Sequence, residues 1–313
     1  MAKKAQRKGK TKRASAAPPA EAATAGEMHL AYFEREAALS RSPAYVAAAY
    51  DDDADTDAWG VPGRTIIAEG DSWFNYSLLG SDLIDYLRSR HGCRVLKNFA
   101  QPGDTLENMV YGTEYDGEFQ RRTPPFDATV ALVAELQPRA FLFSGGGNDI
   151  AGAEFAAFLD HAAASETPLR TWYADRMFGS VMPAMYQRMI DRVLEASAQT
   201  HIFSHGYGNA IPSGIPAEFL GIPIGPWLRP GLVGKGWTDL NQGRAVVTDL
   251  IGRFNDMLAG LARRNSHFHH VDLRPHILDR YWENELHLGP EGFIVCAGKL
   301  YEAIAANVPG WPV

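Results

Sequence analysis

This sequence predicts an α/β fold whose parallel sheet is covered by helices on both faces. Two observations carry the prediction. From about residue 60 onward, short apolar runs alternate with helical patterns, as in successive strand–helix–strand units. The chain has 313 residues, 46% of them hydrophobic, enough for one sizeable core without requiring a second domain.

The elements follow in order. Arg64–Glu69 is a short strand feeding directly into Gly70-Asp71-Ser72. Ser81–Arg90 sets Leu83, Ile84 and Leu87 on one helical face, with Ser81 as N-cap and Gly92 as stop. Arg94–Phe99 is a second strand, and a helix over Thr105–Tyr111 stops at Gly112. Ala140–Ser144 is a third strand, ending in Gly145-Gly146-Gly147-Asn148-Asp149. A helix over Pro183–Ser197 precedes a fourth strand, His201–His205. Val246, Leu250, Phe254, Met257 and Leu261 belong to a long amphipathic helix, and Phe268–Leu273 is the fifth strand. The last helix starts at Pro290, a good first-turn residue, and turns Phe293, Ile294, Ala297, Leu300 and Ile304 inward.

The N-terminal region reads differently. Seven Lys or Arg fall in residues 1–13; setting these positive charges aside from the total of −7 leaves −14 on the remainder. A body this acidic is a poor nucleic-acid binder, so no specific nucleic-acid partner is expected beyond weak contacts of the 1–13 tail. Residues 1–27, basic and then Ala/Pro-rich, are expected to be disordered; 28–59 reads as a helix and an acidic linker running from Asp51 to Asp57, ahead of a 60–313 domain. No run of 18 apolar residues and no secretory-type apolar stretch is present, which predicts a cytoplasmic protein without a membrane span. Cys93 and Cys296 read as core residues rather than a disulfide framework.

Ligands of parallel sheets sit outside the carboxyl ends of the strands. Four segments converge there, and they deliver Ser72, Gly103, Asn148 and His287 to one edge. Acyl transfer needs this inventory: a hydroxyl nucleophile, a base for its proton and donors for the oxyanion. Gly70-Asp71-Ser72, Gly103, Gly146-x-Asn148-Asp149 and His287 resemble, in order, the four sequence blocks of the SGNH (GDSL-like) serine hydrolases, over roughly residues 64–306. The resemblance implies a three-layer α/β/α sandwich with a five-stranded parallel sheet, flavodoxin-like. It further implies Ser72 as nucleophile and His287 as general base. The Ser72 and Gly103 N–H groups and the Asn148 amide would form the oxyanion hole. No metal or organic cofactor is required.

One departure stands out. The family's last block is Asp-x-x-His, whereas Asn284 precedes His287 by three. An amide oxygen can fix the imidazole tautomer but supplies no negative charge. Asn284 is the first candidate to orient the base; Glu283, Glu285 and a backbone carbonyl are the alternatives. A weakened site would leave a binding or regulatory module on the same scaffold.

Other motifs are set aside. The triple glycine lacks the Lys-Ser/Thr of a P-loop, and Ser72 lacks the following glycine of an α/β-hydrolase elbow. His267, His269 and His270 read as strand histidines rather than metal ligands. Asp71 is expected to hold the loop and Asp149 to cap the helix that follows it. Trp73 and Phe74, beside the nucleophile, are candidate substrate contacts. So are Tyr207 and Trp227, within the 206–236 insertion of eight Gly and five Pro, a length and irregularity typical of a site rim. The expected substrate is a small-molecule, glycan or lipid ester, and the sequence leaves the oligomeric state open.

Overall fold

The computed structural model describes residues 65–76, 81–219 and 222–311. The basic tail and the 28–59 segment lie outside the described residues. The chain runs through β1 (Thr65–Gly70), α1 (Leu83–His91), β2 (Arg94–Asn98), α2 (Leu106–Tyr111), α3 (Phe126–Leu136) and β3 (Ala140–Ser144). A 3₁₀ turn at Glu154–Phe158, α4 (Thr171–Arg176) and a π-helical turn at Met177–Val181 lead into α5 (Met182–Ala196). Then come β4 (His201–Gly206), the antiparallel pair β5 (Ala217–Phe219) and β6 (Ile222–Ile224), and α6 (Arg229–Gly234). The chain continues through α7 (Leu240–Arg264), β7 (Phe268–Asp272) and α8 (Pro290–Asn307).

Five strands form one parallel sheet in the order β2-β1-β3-β4-β7. Counted among themselves they run 2-1-3-4-5, the flavodoxin-like order, whose switch point lies between β1 and β3. Helices α1 and α8 pack together on one face; α2, α3, α5 and α7 cover the other. The three-layer α/β/α sandwich is therefore present. All five residues of β3 are buried, as a central strand with helices on both sides requires.

Two local expectations are corrected. The N-cap of α1 is Asp82, not the exposed Ser81. Asp82 accepts from the Asp85 N–H at 3.0 Å while Asp85 accepts from the Asp82 N–H at 3.3 Å, so a reciprocal capping box selects it. Ile294 is only half-buried, whereas Phe293, Cys296, Ala297, Leu300 and Ile304 form the inward stripe of α8. The structure also adds α3 where the sequence reading has no element. Its buried Phe126, Thr129, Leu132 and Val133 have helical spacing, but the helix begins after two prolines with no capping side chain. Cys93 and Cys296 are free and buried.

Candidate active site

The switch point delivers two of the predicted segments directly. Ser72 leaves β1 two residues beyond Gly70, which pairs with Ser144 at the end of β3. The turn lies so close to β3 that a Cβ on Gly70 would come within 2.5 Å of the Ser144 carbonyl oxygen. The third segment, 101–104, is tied to the same edge because the Gln101 N–H donates to the Gly70 oxygen at 2.8 Å. The fourth is a tight loop closed by the antiparallel bridge between Trp282 and Leu288, and it projects His287 across the sheet end.

His287 Nε2 lies 2.8 Å from Ser72 Oγ, and its Nδ1 lies 3.1 Å from Asn284 Oδ1. The direction of these bonds follows from the neighbours. Asn284 Oδ1 also accepts from the Leu286 N–H at 3.0 Å and the His287 N–H at 2.9 Å, while Nδ2 donates to Tyr76 Oη at 3.2 Å. Backbone donors thus fix the amide orientation, so Nδ1 must carry the imidazole proton. That leaves the Nε2 lone pair to accept from the Ser72 hydroxyl. Burial pushes the His287 pKa down to about 3, so the ring is neutral at ordinary pH. Tyr76 stacks on that ring, centroids 4.2 Å apart at 18°, and burial raises its phenol to about 12.

The two acids beside Asn284 are placed elsewhere. Glu283 is exposed. Glu285 is fully buried and accepts from four backbone N–H groups: Gly214 (2.8 Å), Trp227 (2.6 Å), Leu228 (2.6 Å) and Arg229 (3.0 Å). It pins the 206–236 insertion against the histidine loop.

Gly103 has φ +82°, in the left-handed region, within the turn where the Asp104 N–H donates to the Gln101 oxygen at 3.2 Å. Asn148 Nδ2 donates to the Asp104 carbonyl at 2.8 Å, which joins the second and third segments and uses one of the two amide protons. The triple glycine has a packing explanation: a Cβ on Gly147 would come within 2.9 Å of the Tyr207 ring.

Asp71 is a buried carboxyl group next to Ser72. Its Oδ1 accepts from the Trp73 N–H (3.0 Å) and Ser144 Oγ (2.7 Å), and its Oδ2 from the Tyr207 hydroxyl. Ser144 Oγ in turn lies 3.0 Å from His205 Nε2. Desolvation raises the Asp71 pKa against these hydrogen bonds. Asp149 corrects an expectation. It accepts from the Leu106 N–H (2.7 Å) and the Glu107 N–H (3.3 Å), so it caps α2, which precedes it in the chain.

The four candidate contacts separate. Trp73 and Tyr207 line a cavity beside Ser72 and Asn148. Phe74 is fully buried, tilted against His205 at 5.6 Å, and does not line that cavity. Trp227 sets its ring edge-on to His287 at 5.7 Å, outside the cavity wall. His201 Nδ1 lies 2.9 Å from His269 Nε2, beside His267 at the opposite end of the sheet, and no group of three His, Cys, Asp or Glu among the described residues could hold a metal.

A family model described as the GDSL-like Lipase/Acylhydrolase family matches residues 56–293. Similar solved structures include a family 3 carbohydrate esterase of Clostridium thermocellum (12% identity, 78% of this chain and 96% of that one, TM-score 0.45). Another is an extracellular lipase of Streptomyces rimosus (14% identity, 77% and 100%, TM-score 0.46). A third is a carbohydrate acetylesterase of Sinorhizobium meliloti (12% identity, 78% and 99%, TM-score 0.45). No curated protein matches the chain.

Proposed function

The chain belongs to the GDSL-like lipase/acylhydrolase family and is a carboxylic ester hydrolase; from that premise we propose that it works through an acyl-enzyme on Ser72, with His287 as general base and Asn284 as its orienting partner. The observation that carries this reading is the unbroken line from Asn284 Oδ1 through the imidazole to Ser72 Oγ.

Ser72 Oγ attacks the ester carbonyl carbon as its proton passes to His287 Nε2. The carbonyl oxygen becomes an oxyanion, held by the N–H groups of Ser72 and Gly103 and the second amide proton of Asn148. As the intermediate collapses, the C–O bond to the alcohol breaks and His287 returns the proton to the leaving oxygen. Water then attacks the acyl-enzyme by the same route, with His287 taking its proton, and the acid leaves as Ser72 is restored.

Asn284 holds the productive tautomer but carries no charge to balance the imidazolium. The face of Tyr76 takes part of that role, since an aromatic face attracts a cation by roughly 0.5–2 kcal/mol. Tyr207 and Trp73 bound the space where substrate lies, and Trp227 shields the outer edge of His287.

A fluorophosphonate probe tests the reading. Labelling of the folded protein that disappears in Ser72→Ala supports it. Absence of labelling in folded wild type would favour a second reading that the neutral Asn284 motivates: a binding or regulatory module with weakened chemistry.

A further inference from the structure

The cavity beside Ser72 holds about 560 Å³ of empty space, part of it open to solvent. Its polar lining is Asp71, Ser72, Tyr207 and the Gly147-Asn148 turn, and Tyr207 Oη, Asp71 and the Gly147 N–H are bonded to one another or near-neighbours. Away from them the wall is apolar. Ile150, Ala151 and Phe155 come from the segment after β3; Val247, Leu250 and Ile251 come from α7. The insertion adds Ala210 and Leu228. The one carboxyl side chain in the wall, Asp71, already has both oxygens committed to Tyr207, Ser144 and the Trp73 N–H. A sugar ring in this wall would leave its hydroxyls unpaired; an alkyl chain would leave nothing unpaired.

The side of the ester that enters is set by the base. The leaving alcohol must lie within reach of His287 Nε2 to receive its proton. The cavity wall includes Ser72 and Asn148, and Trp282 and Leu286 of the histidine loop, but not the His287 ring. A group that runs from Ser72 along Asn148, Ile150, Phe155 and Leu250 leaves the His287 face of Ser72 to the alcohol, and this is the position of the acyl chain.

We propose that this cavity is an acyl-chain pocket and that the enzyme's substrates are esters of medium-chain fatty acids rather than acetyl esters. The proposal rests on the Ser72 reading for its orientation. Each methylene moved from water into such a wall favours binding about fourfold, so octanoyl over butyryl esters gain on the order of 10²-fold at most.

Two measurements test it. The first is kcat/KM for p-nitrophenyl acetate, butyrate, hexanoate and octanoate, and for octanoate esters of varied alcohols. The expected result is a steep rise with acyl length and a shallow response to the alcohol. In Ala151→Leu and Ala210→Leu, which thicken the wall, the octanoate-to-butyrate ratio should fall at least tenfold. A flat or falling acyl series in wild type, or folded wall variants with an unchanged ratio, overturns the proposal. The second measurement needs no turnover. Octanoate should quench Trp73 and Trp282 fluorescence in Ser72→Ala at concentrations far below those of acetate; equal responses overturn the pocket. The two readings fail separately. Full turnover in Ser72→Ala with the chain-length preference intact removes the serine and keeps the pocket. Loss of turnover in Ser72→Ala with a flat acyl series keeps the serine and removes the pocket.

Discussion

The two loops that meet at Ser72 use their acids in opposite ways. On the Ser72 side, Asp71 is a buried carboxylate that binds Ser144, Tyr207 and its own turn, and it does not touch His287. On the histidine side, the residue that faces the imidazole is the neutral Asn284, and the nearby buried acid, Glu285, is committed to four N–H groups of the insertion. Both buried carboxylates thus hold loops. The His287 ring is faced by an amide and an aromatic ring. A buried carboxylate is stable where several donors satisfy it, and this molecule satisfies its carboxylates in the scaffold.

The comparison can be broken first at Asp71. Asp71→Ala leaves the Tyr207 and Ser144 hydroxyls and the Trp73 N–H without their acceptor, and the expected loss is ~3–5 kcal/mol of stability by denaturant unfolding. A loss under ~1 kcal/mol would mean that water replaces the carboxylate at little cost. Glu285→Ala comes next, at ~2–4 kcal/mol, because four backbone donors lose one acceptor group. Its mark is local: limited proteolysis should open the 206–236 segment before the sheet. Asn284→Ala should leave the fold in place, with ~1–2 kcal/mol lost from two unpaired backbone N–H groups, and should lower kcat by ~10²-fold or more as the tautomer is released. Unchanged turnover would assign the orienting role elsewhere. Tyr76→Phe is the mildest: the ring face stays and only the bond to Asn284 Nδ2 goes, so kcat should fall by only a few-fold, about 1 kcal/mol or less. Tyr76→Leu, which removes the face, should cost several times more; equal effects would deny the stacked ring any share in holding the imidazolium.

The parts of the site that each segment carries within itself were legible in the sequence. Ser72, Gly103, Asn148 and His287 each follow a strand or stand in a loop, and the parallel sheet alone brings such ends together. The Asn284–His287 contact was legible too, since three residues of one tight loop must face each other. Long-range ties were not. Nothing local marks Tyr207 as the partner of Asp71, 136 residues away, or Glu285 as the anchor of the insertion. Residue type alone also left choices open that packing decides. Ser81 and Asp82 are both competent caps, and Asp85 three residues on selects the aspartate. Trp73 and Phe74 are both aromatic neighbours of Ser72; the Trp73 indole donates to the Leu286 carbonyl and reaches the cavity, while Phe74 turns under the loop. Asp149 bonds to an earlier helix because the segment after β3 folds back over the start of α2.

The most direct test of the central claim, that a neutral amide orients His287, is the pH dependence of kcat/KM in wild type and Asn284→Asp. Only the unprotonated imidazole can accept the Ser72 proton, so activity persists above the His287 pKa and is lost below it. With burial holding that pKa near 3, wild type should keep its kcat/KM from pH 8 down to about 5. A carboxylate at 284 would favour the imidazolium, moving the acid limb up toward neutrality and raising kcat at pH 8 by ~10–10³-fold. An acid limb near neutrality in wild type, or a folded Asn284→Asp enzyme with neither limb nor kcat moved, would contradict the account.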